Sequence, residues 1–144
     1  MTPYPHHYRI HAAGGAEGEV ELTSPGLATL HTAPPVEFGG PGDRWSPETL
    51  LLGALGDCFT LTFRAVARAS KLAWTSLDVD VEGTLDRVDG KSHFTDFILR
   101  ARLVLPAGSD AAAGEAAAHK AERGCLIANS LVGRRALEVE VVIE

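Results

Sequence analysis

The chain has 144 residues, of which 45% are hydrophobic and 22% are charged, a balance that fits one globular domain with its own core. Its formal net charge of -6 at pH 7 argues against a nucleic-acid-binding surface, because such surfaces carry clustered Lys and Arg side chains. Residues 1–9 contain no apolar run that could act as a secretory signal. The longest apolar stretch, 50–63, is interrupted and too short to span a bilayer. We therefore expect a cytoplasmic protein without a membrane or nucleic-acid partner.

The N-terminal third of the chain predicts short strands and a loop. Polar and apolar residues roughly alternate over 8–12 and 17–23, and the glycines between them favour a turn, so a hairpin is expected. A third strand is predicted over 27–31. Residues 32–45 are rich in Pro and Gly, which indicates an ordered loop without regular structure.

A long helix is predicted to begin after Ser46. This residue can act as the N-cap, Pro47 suits the first helical position, and the acidic Glu48 complements the helix dipole. Apolar residues at three- and four-residue spacing carry the helix to about Ser70. Further apolar residues lie off this stripe in the first half of the helix, and they predict that this half is buried on nearly all sides.

The second half of the chain predicts another hairpin, a helix and a last strand. Strands are expected over 77–85 and 93–105 around a turn at 88–90, followed by a helix over 109–123 and a strand over 136–143. The order predicts an α+β fold with antiparallel sheets wrapped around the central helix. Because one sheet can cover only one side of an apolar helix, we expect an intertwined homodimer.

The two cysteines are the residues best suited to chemistry. Cys58 lies in the middle of the apolar helix, whereas Cys125 follows Gly124 at the expected start of a short helical segment. They are 67 positions apart, so no C-x-x-C redox motif exists, and two cysteines alone make a weak metal site. His119 could be a third ligand, but an isolated His on an alanine-rich helix is expected at the surface. Reactive thiols and inert core cysteines both remain open.

Two segments resemble the OsmC/Ohr family, the osmotically inducible protein C and organic hydroperoxide resistance proteins. The run 46–59, SPETLLLGALGDCF, resembles the family's central helix, which starts with Pro-Glu and carries Cys ten residues after that Glu. The run 119–130, HKAERGCLIANS, resembles the segment with the second cysteine, although Leu126 stands where the family usually has Pro. The resemblance covers almost the whole chain and implies a single OsmC-like domain over residues 1–144.

The resemblance also implies an activity and the residues for it. Cys58 would attack an organic hydroperoxide and become a sulfenic acid, and Cys125 would resolve it to a disulfide. An external dithiol of the dihydrolipoyl type would reduce that disulfide, with no metal, haem or flavin. Glu48 matches the family's glutamate, which holds an arginine beside the thiolate. The usual arginine position is not basic here, which leaves Arg44 and Arg9 as candidates.

Geometry and polarity add two expectations about this site. A helix rises about 1.5 Å per residue, so Glu48 and Cys58 of one chain are too far apart to touch, and we expect a site shared between two subunits. Phe38, Trp45 and Phe59 would form an apolar pocket for an organic peroxide, although Phe59 also fits the core. The alternatives are a non-enzymatic ligand-binding protein, a redox sensor, and another thiol reaction such as sulfur or acyl transfer.

Overall fold

A computed structural model describes residues 1–144 and contains two three-stranded sheets and one long helix. The α+β fold class predicted from the sequence is confirmed. The chain forms two compact units, Met1–Leu50 and Leu51–Glu144. That the whole chain acts as one domain stays a prediction.

The first unit is built on a small antiparallel sheet. It contains β1 (His11–Ala13), β2 (Val20–Thr23) and β3 (Leu30–Thr32), with β2 in the middle. The predicted hairpin is confirmed with shorter strands, and the third strand begins three residues later than predicted. The Pro/Gly-rich loop that follows contains a 3-10 turn, Val36–Phe38, and its end at Trp45 forms an isolated bridge with Thr32.

The long helix α1 spans Pro47–Ala69, in agreement with the predicted bounds. Its start is held by a reciprocal cap, because the Thr49 amide donates to Ser46 Oγ at 3.1 Å and the Ser46 amide donates to Thr49 Oγ1 at 2.9 Å. The helix is longer than the apolar run 50–63, and by length and composition alone it could cross a membrane. This corrects the expectation that the segment is too short to span a bilayer.

In the second unit, β4 (Ser76–Val88) and β5 (Lys91–Leu105) form the second predicted hairpin. Asp89 and Gly90 at its tip both have positive φ angles, of 51° and 78°, as a tight hairpin turn requires. Helix α2 (Ala111–Gly124) begins at Asp110, whose carboxylate accepts a hydrogen bond from the Ala112 amide at 3.0 Å. Helix α3 (Leu126–Asn129) and strand β6 (Arg134–Ile143) complete the chain.

The pairing of β6 differs from the expectation of purely antiparallel sheets. β6 runs parallel to β5, with Arg135 opposite Phe97. The physical reason is the connection between them, because α2 and α3 cross over and return the chain to the end at which β5 begins. The second sheet is therefore mixed, with β5 between an antiparallel and a parallel neighbour.

One stripe of α1 belongs to the core of the second unit. The core combines residues of α1, the inner face of β5, and alanines of α2: Leu55, Phe59, Phe63, Ala67, Phe97, Leu99, Ala101, Leu103, Leu105, Ala117, Ala118, Ala121, Cys125 and Ala128. The prediction that the first half of α1 is buried all round is wrong for the single chain. Gly53 and Ala54 are exposed, and Leu51 and Leu52 are only half-buried. The reason is that one sheet and one helix cover one side of α1 only.

Candidate functional site

Cys58 lies on the side of α1 next to the core stripe. Its side chain is half-buried and its thiol is free. The neighbouring Phe59 is fully buried, whereas Asp57 is exposed. One helical turn further on, Thr62 brings its hydroxyl to 3.9 Å from the Cys58 sulfur. The thiol therefore lies at the border between the apolar core and the open face of the helix.

Cys125 lies at the junction of α2 and α3 and is 1% exposed. Its amide donates to the Glu122 carbonyl at 3.3 Å, and its carbonyl accepts from the Asn129 amide at 3.0 Å. Cys125 is therefore the C-cap of α2 and the N-cap of α3. The expectation that this cysteine begins a short helix is confirmed.

The surroundings of Cys125 act on its thiol in opposite directions. Burial raises the pKa of Cys125 most strongly, and the Ala128 and Ile127 amides at the start of α3 lower it because they favour the thiolate. The nearby Cys58 thiol also raises the pKa of Cys125. The fold thus brings together two thiols that are far apart in sequence, and Cys125 is held mainly as a neutral thiol.

Thr62 is a site residue that the sequence analysis did not single out. Besides approaching Cys58, its methyl group lies next to the residue before Cys125, since a Cβ atom built on Gly124 would lie 3.6 Å from Thr62 Cγ2. The turn of α1 with the first cysteine therefore packs against the segment with the second. The four-residue spacing from Cys58 was the available signal, because side chains at this spacing share one face of a helix.

An ionic network surrounds the junction of α2 and α3 that contains Cys125, which we call the Cys125 turn. The sequence analysis did not predict this network. Arg135 Nε and Nη2 both lie 2.6 Å from Glu122 Oε1, and Nη2 donates to the Glu122 carbonyl at 3.1 Å. Arg135 Nη1 donates to Asn129 Oδ1 at 3.0 Å, and Asn129 Nδ2 donates to the Arg123 carbonyl at 3.1 Å. These contacts join Glu122 and Arg123, three and two positions before Cys125, to Asn129 and Arg135, four and ten positions after it.

The predicted arginine and glutamate belong to the first unit. Arg44 Nε donates to Glu19 Oε1 at 2.7 Å and Nη1 donates to the Asp43 carbonyl at 3.1 Å. The hydrogen bond and charge of Glu19 raise the pKa of Arg44, with a smaller effect from Asp43. Glu48 is half-buried in the first turn of α1, and Arg9 is exposed. The roles of Arg44, Arg9 and Glu48 at the Cys58 thiol stay predictions.

The aromatic residues of the predicted pocket and the candidate ligand His119 lie in different environments. Phe59 is a core residue, whereas Phe38 and Trp45 are 63% and 55% exposed. His119 is half-buried as a residue, although 45% of its side chain is exposed, and its Nε2 lies 3.9 Å from Glu115 Oε1. No group of three or more His, Cys, Asp and Glu side chains is arranged to hold a metal ion.

Comparisons with known proteins agree with these observations. The family model described as OsmC-like protein matches residues 40–142. The uncharacterized protein YmaD of Bacillus subtilis is 27% identical over 143 residues, which cover 96% of this chain and 95% of YmaD. Peroxiredoxin OsmC of Escherichia coli is 26% identical over 96 residues, which cover 67% and 66% of the two chains.

A solved structure extends the likeness to three dimensions. The crystal structure of an organic hydroperoxide resistance protein OsmC from Legionella pneumophila superimposes with a TM-score of 0.74 and 29% sequence identity. The match covers 96% of this chain and 99% of that protein. The similarity therefore includes the segments with both cysteines.

Proposed function

This chain belongs to the OsmC-like protein family, and on that basis we propose that it is a thiol peroxidase that reduces organic hydroperoxides. The observation that carries the proposal is the pair of free thiols that the fold brings together, Cys58 at the open face of α1 and Cys125 buried beside it. A similar protein is named a peroxiredoxin and another an organic hydroperoxide resistance protein.

The proposed cycle has three steps. The Cys58 thiolate attacks the terminal oxygen of R-OOH, the O–O bond breaks, and the products after proton uptake are R-OH and a Cys58 sulfenic acid. The Cys125 sulfur then attacks the sulfenic sulfur, which forms a disulfide and releases water. An external dithiol, for which a dihydrolipoyl group is the proposed chemistry, reduces the disulfide and becomes a disulfide itself.

The different environments of the two thiols support this assignment of roles. Cys58 is the more accessible, as a residue that meets an external peroxide must be. Cys125 is buried with its pKa raised, which suits a resolving thiol because the neutral form is less readily oxidised by peroxide. The Thr62 hydroxyl, at 3.9 Å, can donate a hydrogen bond to the Cys58 thiolate.

The proposed site also includes Arg44 and Glu48, from a second copy of the chain. Arg44 uses Nε and Nη1 on Glu19 and Asp43, which leaves Nη2 without a hydrogen bond. A guanidinium in this state can still donate to a thiolate and keep it ionised. Glu48 of the same second copy, a half-buried carboxylate, would orient that arginine toward the Cys58 thiolate on the other side of the subunit interface.

A homodimer is proposed because one face of α1 is open. Only Leu55, Phe59, Phe63 and Ala67 of the 23 residues of α1 are buried, and Leu61 is 51% exposed. A second copy would cover this face, whereas a lipid environment would have to accept the exposed Asp57 in mid-helix at considerable cost. We therefore propose a cytoplasmic dimer without a membrane partner.

Sedimentation analysis tests the dimer. Leu61→Glu should shift the protein to a monomer, whereas Val88→Glu, at a residue that is 43% exposed in the β4–β5 hairpin, should leave the dimer intact. A wild-type monomer at all concentrations would contradict the shared site.

The peroxidase itself is tested by intact mass and free-thiol count before and after one equivalent of an organic hydroperoxide or of hydrogen peroxide. We expect both thiols to disappear with the mass loss of two hydrogen atoms, faster with the organic oxidant. Cys125→Ser should stop at the Cys58 sulfenic acid, and Cys58→Ser should not react. Thiols that persist with both oxidants would indicate a ligand-binding protein, and oxidation without turnover with a dithiol would indicate a redox sensor.

A further inference from the structure

The Arg135 network encloses the turn that contains Cys125. Arg135 in β6 contacts the side chain and the carbonyl of Glu122 at the end of α2, and also the side chain of Asn129 at the end of α3. Asn129 in turn contacts the Arg123 carbonyl. The Arg135 guanidinium therefore connects β6, α2 and α3 around the Cys125 backbone.

This network is better shielded than the other ion pairs of the second unit. The side chains of Arg135 and Glu122 are 25% and 18% exposed, whereas those of the adjacent Arg134 and its partner Asp96 are 84% and 31% exposed. Water screens a pair less as its exposure falls, and a fork of two donors on one carboxylate fixes direction as well as distance. The two neighbouring arginines thus offer a natural comparison, since each contacts one carboxylate through two nitrogens.

The Cys125 turn needs support from outside itself. Helix α3 has only four residues, too few to be stable without tertiary contacts. A disulfide forms only within a narrow range of Cβ positions and torsion angles. A turn that drifts by a fraction of an ångström therefore spends less time in the geometry from which the Cys125 sulfur can reach Cys58.

We propose that Arg135 is a positioning residue that holds Cys125, through Glu122 and Asn129, in the orientation required to attack the Cys58 sulfenic acid. The inference rests on the proposed peroxidase function and names a residue that sets the rate of its second step, disulfide formation. The hydrogen bonds of Arg135 go to Glu122 and Asn129 and none goes to Cys58, so we expect the first step to be independent of Arg135.

The test separates the two steps in a single turnover of the full-length protein with an organic hydroperoxide. Arg135→Lys keeps the charge but removes the two-pronged contact. Sulfenic acid formation at Cys58 should stay within about twofold of wild type, whereas disulfide formation should slow by about tenfold or more. A diketone that traps sulfenic acids should then label the variant and not the wild type. Arg134→Lys, the matched control, should behave as wild type in both steps.

A second variant distinguishes the positioning effect from a folding defect. Asn129→Ala leaves the Arg135 contacts to Glu122 in place and should slow disulfide formation in the same direction by a smaller factor, with a circular dichroism spectrum like that of wild type. Disulfide formation at the wild-type rate in both Arg135→Lys and Asn129→Ala would overturn the proposal.

A measurement without peroxide distinguishes failure of this inference from failure of the proposed function. The comparison is between reduced Cys58→Ser protein and the double variant that also carries Arg135→Lys. A maleimide should label Cys125 faster in the double variant, because the turn that contains Cys125 opens more often. Faster labelling supports the positioning role even if wild-type protein does not react with hydroperoxides, in which case only the peroxidase proposal fails. Unchanged labelling overturns the positioning role whatever the activity.

Discussion

The raised pKa of Cys125 predicts a steep pH dependence for the second step of the proposed cycle. The attacking species is the thiolate, and burial keeps this thiol protonated above its ordinary titration range. Below the pKa, each pH unit changes the thiolate fraction about tenfold. Between pH 6 and pH 8, the rate of disulfide formation should therefore rise by about 100-fold and show no plateau.

This rate can be isolated because resolution is unimolecular. At increasing hydroperoxide concentration the observed rate of disulfide formation reaches a limit set by the second step, and stopped-flow fluorescence of the two tryptophans can follow it, with quenched samples checked by mass. Cys125→Ser should show oxidation of Cys58 but no such phase. A limiting rate that levels off between pH 7 and pH 8 would refute the reasoning, because it would require a lowered Cys125 pKa.

Three predictions concern stability and are checked by urea unfolding with fluorescence or circular dichroism detection. Phe63→Ala should cost about 3–5 kcal/mol, because Phe63 is fully buried and packs edge-to-face on Trp74 at 5.3 Å; a cost under about 1 kcal/mol would contradict its core position. Gly133→Ala should cost about 1–3 kcal/mol, since the added Cβ would lie 2.8 Å from the buried Phe97 ring; a neutral result would show that the ring can move aside. Asp110→Ala should cost about 1 kcal/mol through the lost α2 cap, with Asp110→Asn close to wild type.

The elements that depend on local signals were predictable from the sequence. The Ser46 cap and Pro47 set the start of α1, and the Asp89-Gly90 pair set the β4–β5 turn. Each signal acts within a few residues of the backbone that it shapes. The helix and strand bounds therefore came within three residues of the observed ones.

The features that depend on distant parts of the chain were not predictable in the same way. Whether β6 runs parallel or antiparallel to β5 is decided by the path of the crossover. The Arg135–Glu122 pair joins residues 13 positions apart on two elements, and no periodic pattern indicates it. The proximity of Cys58 and Cys125 was expected only from the family resemblance, since spacing along the chain says nothing about distance in space.

The burial of α1 shows a further limit of prediction from the sequence. Its apolar composition predicted burial on nearly all sides, yet in the single chain only Leu55, Phe59, Phe63 and Ala67 are buried. A sequence indicates which side chains avoid water but not which molecule covers them. The open face of α1 is therefore the feature on which the proposed dimer rests.

The position of the two thiols also links redox state to resistance to unfolding. The chain between Cys58 and Cys125 contains β4, β5 and α2, so a disulfide here would close a loop of about 70 residues and lower the entropy of the unfolded chain by an amount worth about 4 kcal/mol. By thermodynamic linkage, folding would in turn make this disulfide harder to reduce, by about 90 mV. A dithiol donor would then have to be correspondingly strong, and the melting temperature would report which redox form is present.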